Sequence, residues 1–187
     1  MRLAVLASGS GTILDAIASA GIPVAVVVVD RPCGAEQVAA SHGIACEVVA
    51  RTTYGPDFDR RGYTAELVGV LRGWDTDLVA MAGFGTILGA GMFEAFPDRI
   101  LNTHPALLPA FPGWHAVDDA LAYGVKVTGC TVHLATEEVD AGPILAQEAV
   151  TVAPDDTVDS LHERIKAVER RLYVATISEI LERGSVR

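Results

Sequence analysis

The sequence predicts an α/β fold: a single domain with a doubly wound, mixed sheet, parallel in its N-terminal half and extended by an antiparallel hairpin in its C-terminal half. Three observations lead there. Up to residue 82, short apolar runs alternate with amphipathic segments, as strands joined by helices do, and that order favours a parallel sheet covered on both faces. Between residues 126 and 152 two apolar runs are separated by a short turn, so they can pair antiparallel. Half of the 187 residues are hydrophobic, enough for a sizeable core in one domain.

Taken in order, Arg2–Ala7 reads as the first strand and leads through a Gly/Ser turn into a helix from Thr12 to Ala20. Pro23–Val29 is the second strand; its run of valines suits a strand buried on both faces. Ala35–His42 is a short helix closed by Gly43, and Ile44–Val49 is the third strand. Asp57–Trp74 reads as a helix with Tyr63, Leu67, Val70 and Leu71 on one stripe, followed by a strand over Asp77–Ala82. Ile100–Thr103 is a short strand that runs into a proline-rich loop from Pro105 to Pro112, and a helix over Ala116–Tyr123 comes next. Lys126–Ala135 and Ile144–Val152 form the hairpin, around the turn Asp140-Ala141-Gly142-Pro143. A helix from Thr157 to Glu182 ends the chain, with Asp156 as N-cap and Leu161, Ile165, Val168, Leu172 and Ala175 as its apolar stripe.

Charge and composition narrow the function. Twenty-four acidic residues against 14 basic ones give a net charge of −10, which repels nucleic-acid backbones, so any phosphate-bearing ligand is expected to be small and locally held. No apolar run approaches the roughly 20 residues of a membrane-spanning helix. The apolar start of the chain is too short for a signal peptide, which leads to an expectation of a cytoplasmic protein. The three cysteines, Cys33, Cys46 and Cys130, are widely spaced, form no Cys-x-x-Cys pair and read as small buried thiols. Cys130 with His133 lacks the further ligands that a metal needs, so no metal is expected.

In an open sheet of this kind ligands bind beyond the carboxyl ends of the strands. Three segments fall there: residues 8–12, residues 83–88 and the stretch beginning at Asn102. Ser8-Gly9-Ser10-Gly11-Thr12 joins a strand to a helix, where glycines admit an anion to free N–H groups at the positive end of the helix. A plain tight turn would use the same residues. A dinucleotide site, with Asp30 as the ribose acid, is the rival, but the third glycine position holds Leu14. Asn102 and His104 alternate on an extended segment, so an amide and an imidazole point the same way. Taken singly, His104 reads as a structural loop histidine and Asp140 as a turn-former; only their combination with Asn102 points to a site.

The order of motifs goes further. Asn102-Thr103-His104-Pro105-Ala106-Leu107-Leu108-Pro109, followed by Phe111-Pro112-Gly113, is similar to the signature of folate-dependent formyltransferases. Thr128–His133 and Glu138–Ile144 resemble the later segments of that family, in the family's order. Within the family, the glycine-serine loop resembles the purine-synthesis branch, whose amine substrate is glycinamide ribonucleotide. Relatives that formylate an initiator tRNA or hydrolyse the folate carry further domains, for which this length leaves no room.

The resemblance implies a formyltransferase-like domain in which residues 1–100 hold the phosphate-bearing amine and residues 101–187 hold the transfer site and the folate. It implies 10-formyltetrahydrofolate as co-substrate, no metal, and a monomer or homodimer. It assigns catalysis to Asn102, His104 and Asp140, and amine binding to Ser10, Gly11, Thr12, Ile13, Pro105 and Glu169. Folate contacts fall to Gly85, Thr86, Ile87, Leu88, Ile100, Asn102, Thr136, Glu137, Glu138, Val139 and Asp140. His133 either supports this group or is strand core, and His115 is expected to order its loop. Three departures touch the acceptor: Ile13 replaces Asn, Gly85-Thr86 replaces Met-Arg, and Arg170 replaces His. Another small amine is therefore the alternative acceptor, and a binding module without catalysis is the reading from another class. The latter leaves the trio of Asn102, His104 and Asp140 without a purpose.

Overall fold

A computed structural model describes residues 1–187. Seven strands and six helices follow one another as β1 (Leu3–Ala7), α1 (Thr12–Ser19), β2 (Val24–Val29), α2 (Gly34–Ser41), β3 (Cys46–Val48), α3 (Arg60–Gly73), β4 (Leu78–Met81), α4 (Ala90–Ala95), β5 (Ile100–His104), α5 (Ala116–Tyr123), β6 (Val127–Leu134), β7 (Ile144–Thr151) and α6 (Val158–Arg183). The sheet order is β3-β2-β1-β4-β5-β6-β7. Pairings β1–β2, β1–β4, β2–β3 and β4–β5 are parallel, and β6–β7 is antiparallel. The expected mixed sheet is therefore the observed one. The chain divides into two compact units, Met1–Leu101 with Val186 and Asn102–Ser185 with Arg187.

In the first unit β1 is buried over its whole length and β2 over its last four residues, which is why both are almost purely aliphatic. The stripe on α3 is Tyr63, Thr64, Leu67, Val68 and Leu71; Val70, expected on it, is only half-buried. This helix starts later than predicted, because Asp59 caps it by accepting from the Gly62 N–H at 2.9 Å. The sequence reading missed α4, whose 6 residues are too few to show a helical period. β3 is shorter than expected and exposed at all three positions, as an edge strand is. Cys46 lies on it, so the expectation of three buried thiols fails: Cys46 is exposed, Cys33 intermediate and only Cys130 buried.

In the second unit Val117, Cys130, Val150, Leu161 and Ile165 form a core between α5, the hairpin and α6. The apolar stripe of α6 departs from the expected one beyond its third turn. Ala175 is exposed, and Tyr173, Thr176, Ile177 and Ile180 are the buried positions. The N-cap is Thr157, not Asp156: Ser160 N donates to Thr157 Oγ1 at 3.2 Å, and Thr157 N donates to Ser160 Oγ at 3.0 Å. Asp156 is taken by Arg164 instead.

Candidate active site

In the second unit, β5 extends Asn102, Thr103 and His104 toward the proline-rich loop. That loop is tied to the hairpin by Thr131, whose hydroxyl donates to Ala106 O at 2.7 Å and accepts from Leu108 N at 3.0 Å. Gln147 Nε2 adds bonds to Leu108 O and Thr131 Oγ1. Gly129 lets Leu107 approach, since a Cβ there would lie 2.7 Å from Leu107 Cδ2. The histidine is thus delivered by a segment with little freedom to move.

The structure brings His104 and Asp140 together. His104 Nδ1 lies 3.3 Å from Asp140 Oδ2, with side-chain exposures of 5% and 6%. His104 Nε2 donates to the Phe111 carbonyl at 2.7 Å. Both ring nitrogens therefore face acceptors. Asn102 joins through His133: its Nδ2 donates to His133 Nε2 at 3.2 Å, while His133 Nδ1 donates to Leu134 O at 2.9 Å. His133 Nε2 also lies 3.6 Å from Asp140 Oδ1, which places this imidazole, only 1% exposed, beside both the amide and the carboxylate.

Asp140 is held from the other side as well, by the Gly113 N–H at 2.8 Å. Burial pushes its carboxyl up, but the neighbouring His133 imidazole, the Gly113 N–H and His104 outweigh burial and hold it below the usual carboxylate value. Phe111 and Asp140 are two of the four non-glycine residues with positive φ, at 52° and 57°. Conformations of that kind persist only where the surroundings over-determine them, here by the bonds at both residues. The turn after Asp140 is equally constrained: a Cβ at Gly142 would fall inside the Leu134 carbonyl.

Glu169 on α6 is no solvated helix carboxylate. Thr103 Oγ1 donates to Glu169 Oε1 at 2.5 Å, and burial raises its carboxyl above the usual value. Pro105 is half-buried beside these residues in sequence. Thr136, Glu137, Glu138 and Val139 form an exposed turn in which Thr136 Oγ1 donates to Glu138 O at 2.8 Å. His115 is exposed and precedes α5 without a side-chain cap bond, so nothing in the structure ties it to loop order.

The first unit holds the remaining candidates. Ser10 and Thr12 are exposed, and Gly11 takes φ 79° at the N-cap of α1. A side chain at Gly11 would meet Ala35 Cα at 2.8 Å, so packing against α2 also requires this glycine. Ile13 points into the core at 8% exposure and can offer a ligand only its backbone. The hydroxyl of Thr86 is spent on Asp30, leaving its backbone; Leu88 and Ile100 are core, and Ile87 is exposed. Asp30 is fully buried and bonded to Arg31 and Thr86, which removes the ribose-binding role of the dinucleotide rival. Arg60, Arg61 and Arg72 line a separate groove of about 760 Å³ along α3 and α4.

The profile of the formyl transferase family matches residues 1–177. The chain belongs to the formyl transferase family. Among similar proteins, the phosphoribosylglycinamide formyltransferase of Mycobacterium tuberculosis is 46% identical over 188 residues, covering 98% of this chain and 86% of the relative. The crystal structure of a phosphoribosylglycinamide formyltransferase from Bacillus halodurans aligns with TM-score 0.91 at 39% identity, over 99% of this chain and 97% of that one. The crystal structure of glycinamide ribonucleotide transformylase 1 from Symbiobacterium toebii aligns with TM-score 0.88 at 42% identity, over 94% and 84%.

In this formyl transferase, sequence reasoning missed the parts of the site that carry no side-chain signal. The Phe111 carbonyl and the Gly113 N–H grip the imidazole and the carboxylate through the backbone, and only the Phe-Pro-Gly spacing hinted at them. Thr103 was passed over because it alternates away from Asn102 and His104 on the strand; it serves Glu169 instead. No helix is long and apolar enough to cross a membrane.

Proposed function

We propose that this chain transfers the formyl group of 10-formyltetrahydrofolate to the primary amine of glycinamide ribonucleotide, as a cytoplasmic enzyme of purine synthesis acting as monomer or homodimer. The observation that carries this reading is the linked set Asn102–His133–Asp140–His104, all within one unit. The names of relatives matched over nearly the whole chain support the acceptor.

The amine nitrogen attacks the formyl carbon, and negative charge gathers on the formyl oxygen. Asn102 Nδ2 has one N–H engaged by His133 and a second to give to that oxygen. A donor of this kind contributes roughly 3–4 kcal/mol. Collapse breaks the carbon–N10 bond, moves a proton onto N10 and releases one from the attacking nitrogen. His104, between a carboxylate and a carbonyl, is the group that carries protons, and Asp140 fixes its orientation. Ser10, Gly11, Thr12 and the Ile13 backbone would receive the phosphate, and Pro105 and Glu169 the glycinamide end. The Gly85–Leu88 segment, Ile100 and the 136–139 turn would hold the pterin, partly through backbone groups.

The test is turnover. Protein mixed with 10-formyltetrahydrofolate and glycinamide ribonucleotide should release tetrahydrofolate only when both are present. Formylation of other small amines, with none of glycinamide ribonucleotide, would overturn the acceptor.

A further inference from the structure

Arg31 stands two residues beyond the end of β2, and its guanidinium is fixed along one edge. Nε donates to Asp30 Oδ1 at 2.9 Å and Nη2 to Asp30 Oδ2 at 2.9 Å. Thr86 Oγ1 donates to the same Oδ2 at 2.7 Å. Asp30 is 0% exposed, yet the Arg31 side chain remains 37% exposed and its Nη1 has no partner. The cation lies 5.4 Å from the centre of the Tyr54 ring, which Arg51 shares at 4.5 Å.

Its flank is equally particular. A Cβ on residue 85 would already touch Arg31 Nη2 at 3.4 Å and Ser8 Oγ at 3.6 Å, and glycine leaves that side open. Gly85 N donates to Ser8 Oγ at 2.7 Å, so the arginine stands where the glycine loop meets the segment after β4, beyond the carboxyl ends of two parallel strands. Burial pushes the Asp30 carboxyl up, but hydrogen bonds from Arg31, Thr86 and Ser8 prevail and hold it ionised. A guanidinium held this way gives up little rotamer freedom on binding a ligand and keeps a planar pair of donors outward. In a chain of charge −10, a fixed outward cation at the ligand-binding edge is a local exception to a repulsive field.

We propose that Arg31 is an anion-binding residue of this enzyme, docking a phosphate or carboxylate of one of its two reactants on its outer edge, with Asp30 and Thr86 positioning it and Gly85 leaving it room. The identity of the reactants rests on the function proposed above. The phosphate would come from the amine substrate and the carboxylate from the tail of the folate.

The experiment measures Kd for each reactant separately by calorimetry, and KM and kcat, in wild type, Arg31→Gln and Arg31→Lys. Loss of a charge-assisted contact predicts a rise of about tenfold or more in Kd and KM for one reactant, with little change for the other. The lysine variant should fall between, and kcat should drop less than KM rises. A rise for glycinamide ribonucleotide marks the phosphate. A rise for the folate, absent with a donor lacking its glutamate, marks the carboxylate. Removing one partner of a buried pair can unfold a protein, so Asp30→Asn/Arg31→Gln, which removes both charges, is measured beside them. Unchanged affinities in a folded variant, or equal losses for both reactants, would reduce Arg31 to a counter-ion and overturn the proposal. Wild-type protein without turnover would instead refute the proposed function.

Discussion

His104 Nδ1 sits 3.3 Å from Asp140 Oδ2 while His104 Nε2 donates to the Phe111 carbonyl, so the imidazole is held along both edges. Two chain segments 36 residues apart in number meet in that contact, and neither is informative without the other. The loop carrying Phe111 and Gly113 holds both members, one by its carbonyl and one by its N–H.

Asn102→Ala removes the amide that spans His133 and the expected position of the formyl oxygen. We expect kcat to fall about 10²–10³-fold with the folate KM nearly unchanged, measured by steady-state release of tetrahydrofolate. A parallel rise in folate KM would place the amide in binding instead.

The depressed carboxyl of Asp140 links stability to pH. A carboxyl lower in the folded than in the unfolded state contributes stability that is present above the ordinary value of 3.8 and is lost as pH falls through its folded value. Urea denaturation across the acid range should show wild type losing stability below that value more steeply than Asp140→Asn. Identical slopes would mean that the aspartate is not held ionised by its neighbours.

Glu169 has the opposite sign. Its carboxyl is raised from 4.5, so the folded chain binds that proton more tightly than the unfolded one, and stability declines as pH rises from 4.5 through the folded value. Glu169→Gln keeps an acceptor for Thr103 and should be more stable than wild type at neutral pH, while KM for the amine substrate rises. Thermal melts and amine titrations check the two halves separately.

Gly142→Ala would place a methyl inside the Leu134 carbonyl, so the turn carrying Asp140 must shift. Overpacking of this kind costs about 1–3 kcal/mol. The loss should be visible in denaturant midpoints, with a fall in kcat larger than that in Gly69→Ala, a glycine within α3 with open space around its absent Cβ.

Much of this was legible in the sequence because the physics behind it is periodic. The valines of β2 and the strand–helix alternation announce a buried parallel sheet, and the close pair β6–β7 announces a hairpin. Asn102, His104 and Asp140 were legible as a set through motif order. What escaped depends on neighbours distant in sequence. The 6 residues of α4 carry no period, and the stripe of α6 drifts from Val168 to Tyr173 because the surface it covers changes along its 26 residues. The burial of Ile13 and the capture of Thr86 by Asp30 are tertiary facts, as are the backbone clamps at Phe111 and Gly113.

The most direct test is single-turnover formyl transfer to glycinamide ribonucleotide by His104→Ala, with folate affinity measured on the same protein. If the imidazole between Asp140 and Phe111 moves the protons, the rate of transfer falls at least about 10²-fold while the folate binds as before. A variant that transfers at the wild-type rate would contradict that assignment outright.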